Sequence, residues 1–351
     1  MPPPTDPALD ALFLPFREGQ LARPEGRALF LRARAGNALQ SFGAASLICE
    51  QSFKPSADAL RAAGYEVSSE ATVGKYGVVL VLLPRQREEA RALLARAVTQ
   101  TAAGGRVVAG LGNTEGARSG EADLAQLAGP VSSLSKYKCR VFWTAPLQAQ
   151  ANEPLCSAWL ALDVPRPIDD GRFTSRPGLF AWNRIDPASA LLAAHLPADL
   201  HGRAADLGAG FGFLSAELLL RCPGIAQLDC FEAEARALAL AQHNLGGLAP
   251  DRPVALLWHD VTQGLPARYD VIVTNPPFHA QGSADRPDIG RRFISAAADA
   301  LNPGGQLWLV ANRHLPYESV LTHAFGDVRT VAQHDGFKVI VATKRAGANR
   351  R

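Results

Sequence analysis

Short apolar runs recur along this chain, and each stops at a polar or glycine-bearing turn. In the second half they fall at Arg203-Ala204-Ala205, Gln227-Leu228-Asp229-Cys230-Phe231, Val254-Ala255-Leu256-Leu257-Trp258 and Tyr269-Asp270-Val271-Ile272-Val273-Thr274. Runs of this length between turn residues predict strands buried on both faces, as in a parallel sheet. Phe213-Leu214-Ser215-Ala216-Glu217-Leu218-Leu219-Leu220 has helical periodicity, and a second helix is predicted over Gly290 to Leu301. Strands alternating with helices imply an α/β fold. Open sheets of this kind place ligands at the carboxyl ends of their strands.

The pattern occurs twice. Tyr76-Gly77-Val78-Val79-Leu80-Val81-Leu82-Leu83-Pro84 lines up with Tyr269 to Pro277, and a predicted helix follows each, Arg87 to Thr99 in the first case. Next come Gly104-Gly105-Arg106-Val107-Val108 and Gly304-Gly305-Gln306-Leu307-Trp308. A late strand closes each half, Arg140-Val141-Phe142-Trp143 and Lys338-Val339-Ile340-Val341. Shared order and spacing predict a duplicated domain. The copies differ at the strand ends. The first has Leu83-Pro84-Arg85 in place of Asn-Pro-Pro, and its first strand, Ala28 to Arg32, leads into Ala33-Arg34-Ala35-Gly36-Asn37 without a run of alternating glycines. It is expected to bind no cofactor. Prolines at 146, 154, 165, 167 and 177, with Asp169-Asp170-Gly171 among them, mark a connection. The expected division is a degenerate domain over 1–145, a linker over 146–172 and a catalytic domain over 173–351.

Composition narrows the function classes. At 351 residues and 47% hydrophobic, the chain suits two domains with real cores. No apolar run reaches the roughly 18 residues of a membrane span. Met1-Pro2-Pro3-Pro4-Thr5-Asp6 does not begin a secretory signal. Cys49, Cys139, Cys156, Cys222 and Cys230 form no C-x-x-C pair and read as reduced core thiols. With no H-E-x-x-H among the histidines, no metal is expected. The net charge of +3 lies in residues 1–168, with 18 Lys+Arg against 15 Asp+Glu; residues 169–351 are balanced at 18 each. That excess slightly favours phosphate contact by the first half. Arg291-Arg292, Lys344-Arg345 and Arg350-Arg351 are further candidates.

The candidate chemistry sits at four strand ends. Asp206-Leu207-Gly208-Ala209-Gly210-Phe211-Gly212 has the form strand, glycine loop, helix; its G-x-G-x-G spacing differs from the G-x-G-x-x-G of dinucleotide sites. Glycines let backbone approach a ligand, and Asp206 suits a cationic or amino-bearing one. Glu232 can accept from two ribose hydroxyls. Asp260 can receive an adenine amine. The fourth strand runs into Asn275-Pro276-Pro277-Phe278. The Asn275 side-chain oxygen and the Pro276 carbonyl can accept from a planar amino group, the prolines stiffen the turn, and Phe278 offers a stacking face.

These residues resemble a class I S-adenosylmethionine-dependent methyltransferase. Asp270 to Phe278, His279-Ala280-Gln281-Gly282, Leu301-Asn302-Pro303-Gly304-Gly305, Val310-Ala311-Asn312-Arg313-His314-Leu315-Pro316-Tyr317 and Gly336-Phe337-Lys338-Val339 narrow the resemblance to the "methyltransferase small" domain. Within it they are similar to the RsmC/RlmG group of bacterial ribosomal RNA guanine-N2 methyltransferases. Arg176-Pro177-Gly178-Leu179-Phe180, followed by Asp186, resembles the segment that packs over the cofactor in that group. The chain departs from the pattern at Pro187, where the group implies Gly. The resemblance runs from about Phe173 to Lys344 and weakens upstream.

The resemblance implies two tandem Rossmann-like methyltransferase domains, each a mostly parallel sheet flanked by helices. It implies S-adenosylmethionine, with S-adenosylhomocysteine as product, held by Phe180, Asp186, Asp206, Gly208, Ala209, Gly210, Gly212, Glu232, Ala233, Asp260, Val261 and Asn275. Catalysis falls to Asn275, Pro276, Pro277 and Phe278. The expected substrate is ribosomal RNA, a ribosomal subunit or an assembly intermediate, met in the cytoplasm by a monomer. The 16S RNA is the first expectation. Alternatives are guanine N2 of 23S RNA, DNA adenine, protein glutamine, or a noncatalytic RNA-binding assembly factor.

Overall fold

The computed structural model describes residues 6–148, 152–277 and 287–345. It falls into two compact units. The first runs to Pro165 and takes in Arg176–Gly178; the second holds Arg166–Ser175 and the chain from Leu179 onward.

In the first unit, strands β1 (Ala28–Leu31), β2 (Leu47–Glu50), β3 (Glu66–Ser68), β4 (Tyr76–Leu82), β5 (Thr101–Gly112), β6 (Val131–Lys136) and β7 (Cys139–Thr144) form one sheet. Its order is β3-β2-β1-β4-β5-β7-β6. The pairs among β1 to β5 are parallel, and β7 runs antiparallel to β5 and β6. The helices are α1 (Pro7–Leu12), α2 (Leu14–Arg17), α3 (Lys54–Ala62), α4 (Arg87–Gln100), α5 (Ala117–Ala128) and α6 (Glu153–Leu160). Alternate residues of β1 serve opposite faces: Leu29 and Leu31 join a core with α4, α5 and α6, while Ala28 and Phe30 join one with α1 and α2. Two buried faces explain why the strand is apolar throughout.

The second unit opens with a hairpin of β8 (Arg166–Ile168) and β9 (Phe173–Ser175), then α7 (Pro187–Ala194). Its main strands are β10 (His201–Leu207), β11 (Gly224–Glu232), β12 (Val254–Trp258), β13 (Tyr269–Thr274), β14 (Leu301–Asn312), β15 (Asp327–His334) and β16 (Phe337–Thr343). They lie in the order β12-β11-β10-β13-β14-β16-β15, the same topology as the first sheet. Helices α8 (Phe213–Arg221), α9 (Ala235–Leu245), α10 (Pro287–Ala300) and α11 (Glu318–Ala324) complete it. Helices α7, α8 and α9 share one core and α10 and α11 the other. The expected pair of tandem, mostly parallel Rossmann-like folds is what the two sheets display.

Strand register corrects one alignment. Phe30 pairs with Leu80 as Asp206 pairs with Val273, and Leu31 with Val81 as Leu207 with Thr274. The residues in the places of Asn275-Pro276-Pro277 are therefore Leu82-Leu83-Pro84, not Leu83-Pro84-Arg85. The same register sets Phe30 in the place of Asp206. One step beyond it, Arg32 answers to Gly208 and Gln51 to Glu232. The stretch 146–172, expected as a linker, includes α6, whose Cys156 and Trp159 are buried in the core of the first unit.

Candidate active site

The site is built at the carboxyl ends of β10, β11 and β13, with the start of α7 beside them. The loop after β10 turns on three glycines with φ of +77° (Gly208), +57° (Gly210) and +94° (Gly212), a region that L side chains rarely adopt. Its amides are tied down. Gly208 N and Ala209 N both donate to the Phe231 carbonyl, at 2.8 and 3.0 Å. Gly210 N donates to Glu232 Oε2 at 2.7 Å. Asn244 Nδ2 donates to the Phe211 carbonyl at 2.8 Å and to the Thr174 carbonyl at 2.9 Å, and its Oδ1 accepts from Thr174 N. One side chain on α9 thus clamps the loop to β9.

Asp206 lies beneath this loop, fully buried. Ser215 Oγ donates to its Oδ2 at 2.7 Å, and its Oδ1 has no partner among the described residues. A buried carboxylate oxygen without a partner is costly. It suits a ligand that brings an amine or a positive charge. Burial pushes the Asp206 carboxyl up to about 7; the Ser215 hydrogen bond opposes this, and Glu232 adds to it. Burial likewise raises Glu232, against the hydrogen bonds it accepts from Glu234 N and Gly210 N.

Asn275 follows β13 directly. Its Nδ2 donates to Asp186 Oδ2 and to Ser189 Oγ, both at 2.9 Å. Asp186 also caps α7, accepting from Ser189 N at 2.9 Å. Pro187 fills the first helical position, where a missing N–H costs nothing and a fixed φ helps. The departure from the glycine of the family pattern is therefore a helix start. Pro276 is buried and Pro277 exposed. Phe278, expected to stack on the acceptor, lies outside the described residues, as does His279.

A cleft is walled by Phe180, Asp186, Ser189, Gly208, Ala209, Gly210, Phe211 and Asn275, among others. Phe180 is 64% exposed, an unusual state for a large aromatic. Glu232 joins the site through Gly210. Ala233, Asp260 and Val261 are not among the cleft walls. The Ala233 carbonyl accepts from Trp258 Nε1, Asp260 caps a short turn through Thr262 N, and Val261 is buried. Among the described residues no cluster of His, Cys, Asp and Glu is placed to hold a metal ion.

Ser189, Ser215 and Asn244 were not singled out from sequence. Ser189 carries a weak local signal, three residues beyond a capping Asp. Ser215 reaches Asp206 across the glycine loop and Asn244 reaches Phe211 and Thr174 from α9, and neither carries one.

The chain is similar to known methyltransferases. The profile of the methyltransferase small domain matches residues 170–341. The Ribosomal RNA small subunit methyltransferase C of Shewanella amazonensis is 32% identical over 77% of this chain and 78% of its own length. The protein of the same name from Pseudomonas paraeruginosa is 32% identical over 79% and 82%. A solved structure of the T. thermophilus 16S rRNA N2 guanine methyltransferase RsmC, in complex with AdoMet and guanosine, covers 97% of this chain and 92% of its own, with 27% identity and a TM-score of 0.79.

Proposed function

We infer the reaction from kinship: this chain belongs to the ribosomal RNA small subunit methyltransferase C family. It is an S-adenosylmethionine-dependent enzyme that methylates the exocyclic N2 amine of a guanine in 16S ribosomal RNA. Both relatives carry the small-subunit name, and the T. thermophilus enzyme acts on 16S RNA. The readings as a large-subunit, adenine or glutamine enzyme, or as a noncatalytic factor, find no support among them. The target here is the counterpart of guanine 1207, the site of the T. thermophilus enzyme. A monomer suffices, acting in the cytoplasm where ribosomes are made. Among the described residues no helix is long and apolar enough to cross a membrane.

The observation that carries the chemistry is the state of Asn275. Both hydrogens of its amide are engaged by Asp186 and Ser189, so its Oδ1 is the end left to accept. When bound, S-adenosylmethionine would supply a methyl group on a sulfonium: the S–CH3 bond breaks as the N–C bond forms, S-adenosylhomocysteine leaves, and the alkylated amine gives its proton to solvent. The guanine amine is a poor nucleophile because its lone pair is delocalised into the ring. Asn275 Oδ1 and the Pro276 carbonyl accept its hydrogens, raise electron density on nitrogen and aim the lone pair. Positioning of this kind supplies much of the rate. The unpartnered Oδ1 makes Asp206 the residue that would hold the amino end of the cofactor, and Phe180 lines the cleft beside it. A base inside a paired stem cannot enter, so the RNA presents its guanine flipped or unpaired.

Incubation of the protein with methyl-labelled cofactor and 16S RNA from a strain lacking the enzyme tests this. Mass spectrometry of the digest is expected to show N2-methylguanosine. Label in adenosine, or in protein alone, contradicts the guanine assignment.

A further inference from the structure

We propose that Asp186 and Ser189 are positioning residues for methyl transfer. Together they lock the Asn275 amide in the one orientation that presents oxygen to the acceptor amine. The proposal rests on the reading of Asn275 above, and it gives Asp186 a task other than cofactor binding.

The two ends of an amide are nearly the same size. An unconstrained Asn275 can rotate by half a turn and offer its own NH2 to the guanine NH2. Two donors would then face each other and the amine would gain nothing. The surroundings forbid this. Asp186 Oδ2 lies 2.9 Å from the amide terminus and already accepts from Ser189 N. A carboxylate oxygen in that role accepts and does not donate, so the nitrogen of Asn275 must face it. Ser189 Oγ, also at 2.9 Å, takes the second hydrogen. The flipped amide would lose its bond to Asp186 and set its oxygen against the carboxylate; the Ser189 hydroxyl can donate as well as accept, so the carboxylate decides the orientation and Ser189 reinforces it.

Both partners come from one rigid place. Asp186 is the cap of α7 and Ser189 sits in its first turn. Ala188, Leu192 and Ala193 bury that helix in the core it shares with β13. The cap that starts the helix therefore also sets the amide. Positioning groups built on packed elements hold their geometry more closely than groups on loops.

The test uses the full-length protein, with kcat, the KM for RNA and the Kd for S-adenosylhomocysteine measured on each variant. Asp186→Gly removes the carboxylate oxygen that both caps α7 and faces the Asn275 amide, and glycine is itself tolerated at a helix cap. The amide can then rotate and turn its NH2 toward the acceptor amine. It is expected to lower kcat about tenfold and leave KM and Kd within about threefold. Ser189→Ala removes one of two acceptors and should lower kcat about tenfold; Ser189→Thr keeps the hydroxyl and should restore most of it. In an Asn275→Ala background, Asp186→Gly should cost nothing further, because the group that Asp186 positions is gone.

Three results overturn the proposal. The first is a raised Kd with unchanged kcat in Asp186→Gly, which makes Asp186 a cofactor ligand. The second is full additivity with Asn275→Ala, which makes its role independent. The third is wild-type kcat in both Asp186→Gly and Ser189→Ala while Asn275→Ala is inactive. If Asn275→Ala is itself fully active, the acceptor reading fails too. Unaltered cofactor binding in each variant certifies that the site is folded.

Discussion

At the scale of single residues, Asp206 is the group least at home in its surroundings. Burial raises its carboxyl to about 7, from an ordinary value of about 4. The folded chain thus holds this proton more tightly than the unfolded one. The contribution to stability is complete below about pH 4 and is lost as pH rises through about 7. A positively charged or amino-bearing ligand prefers the ionised form. Cofactor affinity should therefore tighten as pH rises from about 6 to 8, with proton release on binding. Calorimetry in buffers of different ionisation enthalpy measures both effects, and Asp206→Asn should flatten them. A wild-type Kd indifferent to pH over that interval would show that Asp206 does not sense the ligand. Asp206, the glycines and Glu232 were readable in the sequence because each stands at a strand end next to its own turn signal. Ser215 and Asn244 were not, for their hydrogen-bond partners are set by packing. Asn275 and Ser189 meet only because β13 and α7 meet, 86 residues apart in the chain.

At the scale of elements, the apolar runs gave the strands because burial on both faces leaves a continuous signature. They failed at α6. The prolines around it and its own Pro154 read as a connection, yet Pro154 lies in the first turn of the helix and Asn152 caps it, accepting from Leu155 N at 3.1 Å. Proline is tolerated there because that N–H would lack a helical partner anyway. The Gly-Gly pairs tell the opposite story, a signal stronger than the reading made of it. A Cβ on Gly105 would lie 2.7 Å from the Gly77 carbonyl oxygen and 2.9 Å from that of Ala102. On Gly305 it would lie 2.9 Å from the Asn302 carbonyl oxygen and 3.0 Å from that of Asp270. Backbone cannot step aside as a flexible side chain can. Both strand pairs slip register at the matching step, between Tyr76 and Val78 and between Tyr269 and Val271. Gly105→Ala and Gly305→Ala should each destabilise by about 1–3 kcal/mol, as overpacking does. Chemical denaturation measures this, and a neutral result at either position would mean the strand entry yields more readily than its geometry implies.

At the scale of the whole molecule, one topology appears twice with one set of chemical groups. Where the second unit has Asp206, Gly208 and Glu232, the first has Phe30, Arg32 and Gln51. Phe30 is fully buried. Arg32 holds φ at +55°, the left-handed conformation that a glycine would take more easily, and donates to Glu89 at 2.8 Å. Gln51 Oε1 accepts from Phe53 N at 2.9 Å, as Glu232 Oε1 does from Glu234 N at 2.8 Å. Its Nε2 donates to the Ala33 carbonyl. Titration of the full chain with S-adenosylhomocysteine should give one site per chain. A stoichiometry of two would refute the reading of the first unit as inert. Arg32 carries a consequence for descent. A lineage whose first sheet has come to this state has no short way back. Glycine at 32 alone leaves a phenylalanine where a carboxylate must stand, aspartate at 30 alone buries a charge with no ligand loop above it, and glutamate at 51 alone faces both faults. A strand-end carboxylate beneath a glycine loop would therefore need all three positions changed together.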